Sequence, residues 1–281
     1  MTDPSARGRS AVGAPVLDPG RSVSSPGVRP AGALRAGFRL PLLVAWTVVC
    51  CLPLAFEVIR WRSAPSRTSR RAHLLRRWGA GTLGILGVRI VRRGRPPAGG
   101  CFLATNHLGY LDVIVLASQI DAAFVAKHDI ATWPVVGWLC RTFGTLFLDR
   151  ARPRDLVRVF CEMDGVQRHG VSVVIFPEGT SSGGETVLPF HAGLFEAAAR
   201  SGSPVATAAL VYATPPGATP PEIAVCWWGG MTFAPHFLRL LTLPGIEARV
   251  SFAEGSIGPG DRRTLARDAH REVSRLRAGI A

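Results

Sequence analysis

From residue 98 onward, short apolar segments alternate with segments of helical periodicity, and this alternation limits the folds that the chain can adopt. Seven apolar runs predict buried strands, and they are 101–105, 122–126, 145–148, 171–176, 204–211, 223–227 and 248–253. Between them, helical spacing predicts helices over 110–118, 154–169, 191–200 and 262–277. Strands that alternate with helices favour an α/β fold, with a central, mostly parallel sheet flanked by helices.

The region before this domain has a different composition. Residues 1–37 are rich in Pro, Gly, Ser, Ala and Arg and lack apolar periodicity, so we expect a disordered basic tail. Residues 40–56 carry no charge and, at ~1.5 Å per residue, reach roughly 25 Å, a little short of a ~30 Å hydrocarbon core. Pro53 within this run makes an interfacial hairpin the alternative to a spanning helix. We therefore assign 38–97 to a membrane-associated helical region and 98–281 to the α/β domain.

The net charge of +14 arises entirely before residue 98. Residues 1–39 hold six Arg and two Asp, and residues 57–97 hold eleven Arg and one Glu, whereas 98–281 has sixteen basic and sixteen acidic side chains. An excess that flanks an apolar run points to anionic lipid, because proteins that bind nucleic acid usually carry their positive charge on the folded module. Seven Arg lie between 60 and 77 and four between 21 and 39, which predicts a domain on the cytoplasmic side.

His107 and Asp112 follow the first predicted strand of the domain, in the segment NHLGYLD at 106–112. On a continuous helix, side chains five residues apart point about 140° away from each other. If His107 lies in the loop and Asp112 in the first helical turn, the carboxylate can bind one ring nitrogen. The other nitrogen is then free to accept a proton from a hydroxyl, as in a general-base dyad. A purely structural histidine–aspartate contact is the alternative.

Two further segments place polar groups at predicted strand ends. FPEGTSSGG, residues 176–184, is a glycine-rich turn with a carboxylate at Glu178. GTLFLDR, residues 144–150, ends with Asp149 and Arg150, and an arginine suits phosphate or carboxylate.

The cysteines and the remaining histidines indicate neither disulfides nor a metal site. The six cysteines are scattered and form no CxxC pair, so we expect reduced thiols in a cytosolic environment. His128 and Asp129 form an HD dipeptide, but the other histidines show no ligand spacing. We therefore expect no metal.

Together these segments resemble the glycerolipid acyltransferase superfamily, whose best-known members are the bacterial 1-acylglycerol-3-phosphate acyltransferases. NHLGYLD, GTLFLDR, FPEGT and SPVATAAL (203–210) are similar to the family's first to fourth blocks, in the same order. The resemblance implies acyl transfer from acyl-CoA or acyl carrier protein to the hydroxyl of a lysolipid at the inner membrane. It implies no cofactor beyond that thioester co-substrate, and it makes His107 and Asp112 the catalytic pair.

The resemblance also implies which residues bind the acceptor, and these are Asn106, Gly144, Asp149, Arg150, Phe176, Pro177, Glu178, Gly179 and Thr180. Typical phosphatidate-forming members carry Arg after FPEGT, whereas Ser181 and Ser182 follow here. This departure and the segment 227–241 are similar to the branch that contains lyso-ornithine lipid acyltransferases, whose acceptor lacks phosphate. Both acceptors stay open, and we favour 1-acylglycerol-3-phosphate because that activity dominates the family.

Two hypotheses of other classes remain. The chain could be a non-catalytic, lipid-binding membrane protein that kept the fold, although the intact His107 and Asp112 argue against this. It could also bind nucleic acid through the arginine-rich segment 57–97, which the neutral charge of the folded domain disfavours.

Overall fold

The computed structural model of the chain describes residues 30–59, 64–149 and 152–281. The helices in these ranges are α1 (Pro30–Ile59), α2 (Ala64–Leu86), α3 (Tyr110–Gln119), α4 (Val136–Phe143), α5 (Pro153–Arg168), α6 (Glu196–Ser201), α7 (Pro221–Ala224), α8 (Phe233–Thr242) and α9 (Arg262–Ala278). The strands are β1 (Val88–Arg93), β2 (Phe102–Thr105), β3 (Ala122–Lys127), β4 (Leu146–Leu148), β5 (Ser172–Ile175), β6 (Val205–Ala213) and β7 (Ile246–Ile257). Most of the predicted basic tail, residues 1–29, and the predicted site residue Arg150 lie outside the described residues.

The strands form one sheet in the order β1-β7-β6-β2-β5-β3-β4. Strands β2 to β6 run parallel to one another, whereas β7 is antiparallel to β6 and pairs in parallel with β1. The carboxyl ends of the parallel strands therefore meet at one edge, which is where α/β sheets bind ligands. The predicted fold, a mostly parallel sheet flanked by helices, is confirmed.

Six of the seven predicted strands are present, as β2 to β7. The prediction of a strand at 223–227 is wrong, because Pro220 and Pro221 begin helix α7 there. A proline at the first helical position has a φ already suited to a helix and no N–H group to leave unpaired. Val225 and Cys226, whose apolar side chains suggested a strand, are buried in the segment that follows the helix.

Strand β1 lies in the region that the sequence assigned to membrane-associated helices. Val88 to Arg93 pair residue by residue with 246–251 of β7. The predicted domain boundary at 97/98 is therefore wrong, and the sheet begins at Val88. Gly87 separates α2 from β1, since its φ of +71° ends a helix at no steric cost. The apolar, glycine-containing pattern of 74–91 continues across this point, so only Gly87 marks the change from helix to strand.

Helix α1 begins at Pro30, so the predicted disordered tail is too long and residues 30–37 are helical instead. The guanidinium groups of Arg35 and Arg39 donate to three backbone carbonyls at the end of α8, at distances between 2.6 and 3.1 Å. The last carbonyls of a helix have no intrahelical partner, so cations are stabilised there. These bonds order the start of α1 in spite of its low apolar content.

Helices cover both faces of the sheet. Buried residues of α1, α2, α3 and α8 form a core on one face, and buried residues of α5, α6 and α9 form a second core on the other. The indole N–H groups of Trp46 and Trp78 each donate a 3.0 Å hydrogen bond across the α1–α2 contact. Helix α1 is therefore packed lengthwise against the domain.

The outer face of α1 is apolar and exposed. By length and composition, Pro30–Leu54 is the one segment among the described residues that could cross a membrane, with a mean hydropathy of 1.8. Its exposed apolar side chains are Leu34, Phe38, Leu40, Leu42, Val44, Val48, Val49 and Leu52. The expected apolar helix near the N-terminus is confirmed.

Candidate active site

His107 and Asp112 meet at the carboxyl end of β2. The strand ends at Thr105, His107 lies in the following loop, and Asp112 lies in the first turn of α3. His107 Nδ1 and Asp112 Oδ2 are 2.8 Å apart. The predicted fold-back of the carboxylate onto the imidazole is confirmed, and Nε2 is the ring nitrogen that Asp112 leaves available.

The carboxylate of Asp112 is fully buried and is held by four groups. Its Oδ2 accepts the amide N–H groups of Leu108 and Gly109 at 2.6 and 2.9 Å, in addition to the imidazole. Its Oδ1 accepts the hydroxyl of Tyr212 at 2.7 Å. Burial without such partners would disfavour an ionised carboxylate, whereas these donors and the N-terminus of α3 stabilise the negative charge. An anion fixed here sets the tautomer of His107.

Tyr212 is a component that the sequence analysis missed. It lies near the end of β6, far along the chain from Asp112, and burial and the Asp112 charge raise the pKa of its phenol well above the ordinary value. The phenol therefore stays protonated and donates. A tyrosine near the end of a buried strand was the available signal, because a buried tyrosine hydroxyl usually has a partner.

The imidazole of His107 stacks on Phe176, with ring centroids 4.1 Å apart and an interplanar angle of 24°. Phe176 is the first residue of the FPEGT segment, so the first and third predicted blocks, NHLGYLD and FPEGT, are in contact at His107. The backbone amide of His107 donates to Glu178 Oε1 at 3.2 Å, and its carbonyl accepts the amide of Ser182 at 3.0 Å. Both backbone polar groups of His107 are therefore bonded to the FPEGTSS segment, which fixes the loop that carries this residue.

Glu178 is buried, with 3% of its surface exposed. Burial raises the pKa of this carboxyl from 4.5 to about 8, and the nearby charge of Asp112 acts in the same direction. The bond from the His107 amide opposes these effects only in part. Glu178 is therefore protonated at neutral pH and adds no negative charge beside His107.

The other predicted residues of the third block shape the turn. Pro177 is buried and its carbonyl accepts the amide of His191 at 2.8 Å. Gly179 has a φ of +72°, which a glycine adopts without strain, and Thr180 is exposed beyond it. Of the third block, Phe176 and Glu178 contact His107 directly.

Asn106 is predicted to bind the acceptor, but its side chain is buried and is bonded to the backbone. Its amide donates to the carbonyl of Leu210 at 2.9 Å, and its Oδ1 accepts the Leu210 amide at 2.8 Å. This pair of bonds ties the end of β2 to β6. The side chain thus holds the loop before His107 in place, and both its nitrogen and its oxygen are bonded to the backbone of β6.

The second block does not converge on His107. Gly144 precedes β4 and Asp149 follows it, so Gly144 lies toward the opposite end of the sheet. β4 is three strands away from β2 in the sheet, about 14 Å at the usual strand spacing. The carboxylate of Asp149 bonds to Arg152 at 3.1 Å. The predicted acceptor contact of Gly144 is thus not supported by its position, and Asp149 lies at the correct edge but at a distance.

Ser181 directly follows the FPEGT segment, at the departure from the expected family pattern. Its hydroxyl donates to the backbone carbonyl of Trp227 at 2.6 Å. The amide of Trp227 donates to the carbonyl of Leu108 at 2.8 Å. Gly109, with a φ of +155°, allows this close approach, because a Cβ there would lie 2.8 Å from the Trp227 nitrogen. Trp227 therefore contacts both the loop of residues 106–109 and the loop of residues 176–184, which we call the two signature loops.

Helix α8 reaches the same loop through a buried pair. The hydroxyl of Tyr110 and Nδ1 of His236 are 2.9 Å apart, and the two rings meet edge to face. Burial lowers the pKa of His236 and raises that of Tyr110, so both side chains are neutral at physiological pH. Their bond links α8 to the first residue of α3, two positions before Asp112.

A cavity of about 450 Å³ opens at the other end of the sheet, beside Gly144. It lies between α2, α4 and α5, away from His107. Among the residues that the structure describes, no three His, Cys, Asp or Glu side chains are grouped so that they could hold a metal ion.

Comparisons with known proteins bear on the fold and on the family. A family model described as Acyltransferase matches residues 88–211, which begin at β1 and end in β6. The solved structure of the 1-acyl-sn-glycerophosphate acyltransferase PlsC from Thermotoga maritima superimposes with a TM-score of 0.57 and 21% identity. It covers 86% of this chain and 98% of that chain. This likeness supports the fold.

Three curated relatives extend the comparison. The lyso-ornithine lipid O-acyltransferase of Rhizobium meliloti is 30% identical over 81% of this chain and 76% of its own length. The enzyme of the same name from Rhodobacter capsulatus is 36% identical over 57% of this chain and 58% of its length. The 1-acyl-sn-glycerol-3-phosphate acyltransferase of Neisseria gonorrhoeae is 36% identical over 48% and 53%. This chain thus spans little more than half of the last two relatives.

These relatives confirm the resemblance that the four ordered blocks indicated. They also confirm the enzyme class, an O-acyltransferase of lipid biosynthesis. The chain belongs to the glycerolipid acyltransferase family.

Proposed function

We propose that this protein transfers a fatty acyl group from a thioester, acyl-CoA or acyl carrier protein, to the hydroxyl of lyso-ornithine lipid. The observation that carries the proposal is the His107–Asp112 contact of 2.8 Å beneath a loop in which Ser181 replaces the expected arginine. The family resemblance alone favours 1-acylglycerol-3-phosphate as the acceptor. The Rhizobium meliloti relative, which matches 81% of this chain, and the bond made by Ser181 favour the change.

The proposed reaction requires one base and one anion. His107 Nε2 accepts the proton of the acceptor hydroxyl, and the resulting alkoxide attacks the thioester carbonyl. The carbon–sulfur bond breaks, and the thiolate leaves and takes the proton back from the imidazolium. Asp112 stabilises the imidazolium between these two proton transfers. No covalent acyl-enzyme is required.

Ser181 supports an acceptor without phosphate. An arginine at this position would offer a bidentate contact to a phosphate group, which a serine cannot replace. The Ser181 hydroxyl is already used by the Trp227 carbonyl at 2.6 Å. Loss of the cation therefore weakens phosphate recognition and does not affect the base that activates the hydroxyl.

The second candidate acceptor is 1-acylglycerol-3-phosphate. The relative from Neisseria gonorrhoeae bears this activity in its name and is as identical to this chain, at 36%, as the Rhodobacter capsulatus relative. Both candidates share the base, the thioester and the site, and they differ only in the head group.

We further propose that the enzyme lies on the cytoplasmic face of the inner membrane, with α1 parallel to the surface and its outer side in one leaflet. Arg35 and Arg39 bond to α8, and Trp46 bonds to α2. A helix fixed along its length to the domain cannot leave the domain to cross a bilayer. The arginines on both sides of the apolar run support the cytoplasmic side, because that leaflet carries the anionic lipids.

The test is an acyl-transfer assay with the purified full chain, an acyl-CoA, and lyso-ornithine lipid or 1-acylglycerol-3-phosphate as separate acceptors. We expect O-acylation of lyso-ornithine lipid, and His107→Ala should reduce its rate by ~10²- to 10⁴-fold because the base is lost. His73→Ala, at an exposed position on α2, is the matched control and should keep the rate.

Each other outcome has a distinct meaning. Acylation of the phosphate acceptor alone would establish the second candidate. Unchanged turnover in His107→Ala would remove the proposed base. If no thioester is consumed with either acceptor, the result would favour the non-catalytic, lipid-binding hypothesis.

A further inference from the structure

Three aromatic rings meet beside the loop that carries His107, and we name Trp133, Trp227 and Phe233 the aromatic corner. The centroids of Trp133 and Trp227 are 6.1 Å apart, those of Trp133 and Phe233 are 5.8 Å apart, and those of Trp227 and Phe233 are 6.2 Å apart. The interplanar angles are 87°, 66° and 87°. Each ring thus stands steeply to the other two, and all three are only partly buried.

The corner is built into the two signature loops. The amide of Trp227 bonds to the carbonyl of Leu108 at 2.8 Å, and the carbonyl of Trp227 accepts the Ser181 hydroxyl at 2.6 Å. Leu108 directly follows His107 in the chain. A lysolipid whose hydroxyl lies at His107 therefore has these rings beside the next residue of the same loop.

A second observation also points to a ligand. The indole N–H of Trp227 is buried and has no hydrogen-bond partner among the residues that the structure describes. Leaving a buried donor unpaired is unfavourable, so such groups call for an explanation. An acceptor group of a bound molecule would complete the pairing.

We propose that the aromatic corner receives the side-chain ammonium of the ornithine head group, while the indole N–H of Trp227 binds its carboxylate. This rests on the function proposed above and assigns the residues that select the acceptor. A cation over the faces of tryptophan and phenylalanine rings is attracted by their quadrupoles, most strongly where water is partly excluded. A phosphate acceptor brings no cation to these ring faces and therefore gains nothing from them.

The dimensions of the substrate agree with this placement. In ornithine that is acylated on its α-nitrogen by a 3-hydroxylated chain, about nine covalent bonds separate the hydroxyl oxygen from the side-chain nitrogen, roughly 11 Å when extended. The aromatic corner adjoins the residue after His107, so the hydroxyl and the ammonium can occupy their sites together. The two charged groups of ornithine also match the two features of the corner.

The test compares two acceptors that differ in one charge, lyso-ornithine lipid and the same lipid with its side-chain amine acetylated. We expect the wild type to lose about twofold to thirtyfold in kcat/KM with the acetylated acceptor, through KM. Trp133→Leu should lose a similar factor with the charged acceptor and little with the acetylated one. Trp133→Phe keeps a ring face and should retain most of the activity.

Matched variants separate this role from folding. Phe233→Leu should reproduce the selective loss at a second wall of the corner. Trp138→Leu removes an exposed tryptophan from α4, outside the corner, and should change neither value. Unchanged melting temperatures by circular dichroism would show that the variants remain folded.

Two results would overturn the proposal. One is a wild type that has the same kcat/KM for the charged and the acetylated acceptor, or variants whose kcat/KM falls equally with both. Either finding would show that the corner is an apolar surface that does not recognise the ammonium. The other is acylation by the wild type of 1-acylglycerol-3-phosphate but of neither ornithine lipid. That result would refute the proposed function itself, and the assignment of the corner with it.

Discussion

Glu178 illustrates how a single buried carboxyl can connect pH to the stability of this fold. Its pKa lies near 8 in the folded chain because burial disfavours the charged form, and near 4.5 when the group is free in water. Between these values the folded chain holds a proton that the unfolded chain has released. Stability must therefore fall as the pH rises through this window, and level off above it.

Substitution of Glu178 by Gln should remove this dependence. Glutamine has the shape of the protonated carboxyl, so the free energies of unfolding of Glu178→Gln and wild type should be similar near pH 5. By pH 9 the wild type should be less stable than the variant by about 3 to 6 kcal/mol. Urea unfolding in mild detergent, at steps between pH 5 and pH 9, measures the difference. A difference that stays constant across this range would contradict the assigned protonation.

Among individual residues, contacts between neighbours in the chain could be predicted from the sequence, whereas contacts between distant residues could not. The His107–Asp112 contact was predictable because a loop residue and a first-turn residue can meet without any knowledge of the rest of the fold. Tyr212 completes the same site from 100 residues away, and nothing in its spacing announces it. Asn106 was assigned to the acceptor by resemblance, whereas only the neighbouring strand β6 explains its use as a backbone clamp.

Elements were predictable where one period continued over the whole segment. The buried strands β2 to β7 appear as uniform apolar runs, and α9 appears as a long amphipathic segment. Strand β1 was missed because its residues continue the apolar pattern of α2, and the change of period at Gly87 is marked by one residue. The false strand at 223–227 has the opposite cause, since its apolar side chains are buried by a turn and not by a sheet.

Helix α1 provides a prediction at the scale of an element. Leu42 and Val49 are 55% and 57% exposed on its outer face. If this face enters a leaflet, Leu42→Glu combined with Val49→Glu should weaken binding to uncharged lipid vesicles by about a hundredfold, because the burial of two apolar side chains is lost. Vesicle co-sedimentation measures the effect. Val157→Glu on α5, 56% exposed on the opposite face of the sheet, should bind as the wild type does.

The orientation of α1 can be measured with the same vesicles. Spin labels placed at Leu34 and Leu52, both exposed on the outer face, should report similar depths if the helix lies along the surface. In a spanning helix these positions would differ in depth by roughly 27 Å. Such a difference, or unchanged binding of the double glutamate variant, would contradict the proposed placement.

For the whole molecule, the arrangement of α1 against the domain was beyond sequence analysis. Its anchoring bonds join Arg35 and Arg39 to carbonyls more than 200 residues away. Backbone acceptors at a helix end have no sequence signature, and the arginines look the same whether they face lipid or protein. What the sequence does specify is the distribution of charge, with the entire excess before residue 98.

That distribution leads to a prediction for the molecule as a whole. Binding to vesicles that contain anionic lipid should weaken as salt rises, because exposed charges are screened beyond ~10 Å at 0.1 M salt. Binding to uncharged vesicles should change little, since the apolar face of α1 alone drives it. Replacement of Arg76 and Arg77 on α2 by Gln should weaken anionic binding by about fivefold for each charge, at ~1 kcal/mol per residue.

The control has the same net charge as the Arg76→Gln, Arg77→Gln variant but carries its two substitutions on another helix. Arg267→Gln with Arg271→Gln removes the same two charges from α9, which packs on the face of the sheet opposite α1. If position relative to the membrane matters, this control should bind anionic vesicles nearly as well as the wild type does. If the two double variants lose equal affinity for anionic vesicles, net charge alone governs the attraction. The position of the arginines next to the apolar helix would then have no effect.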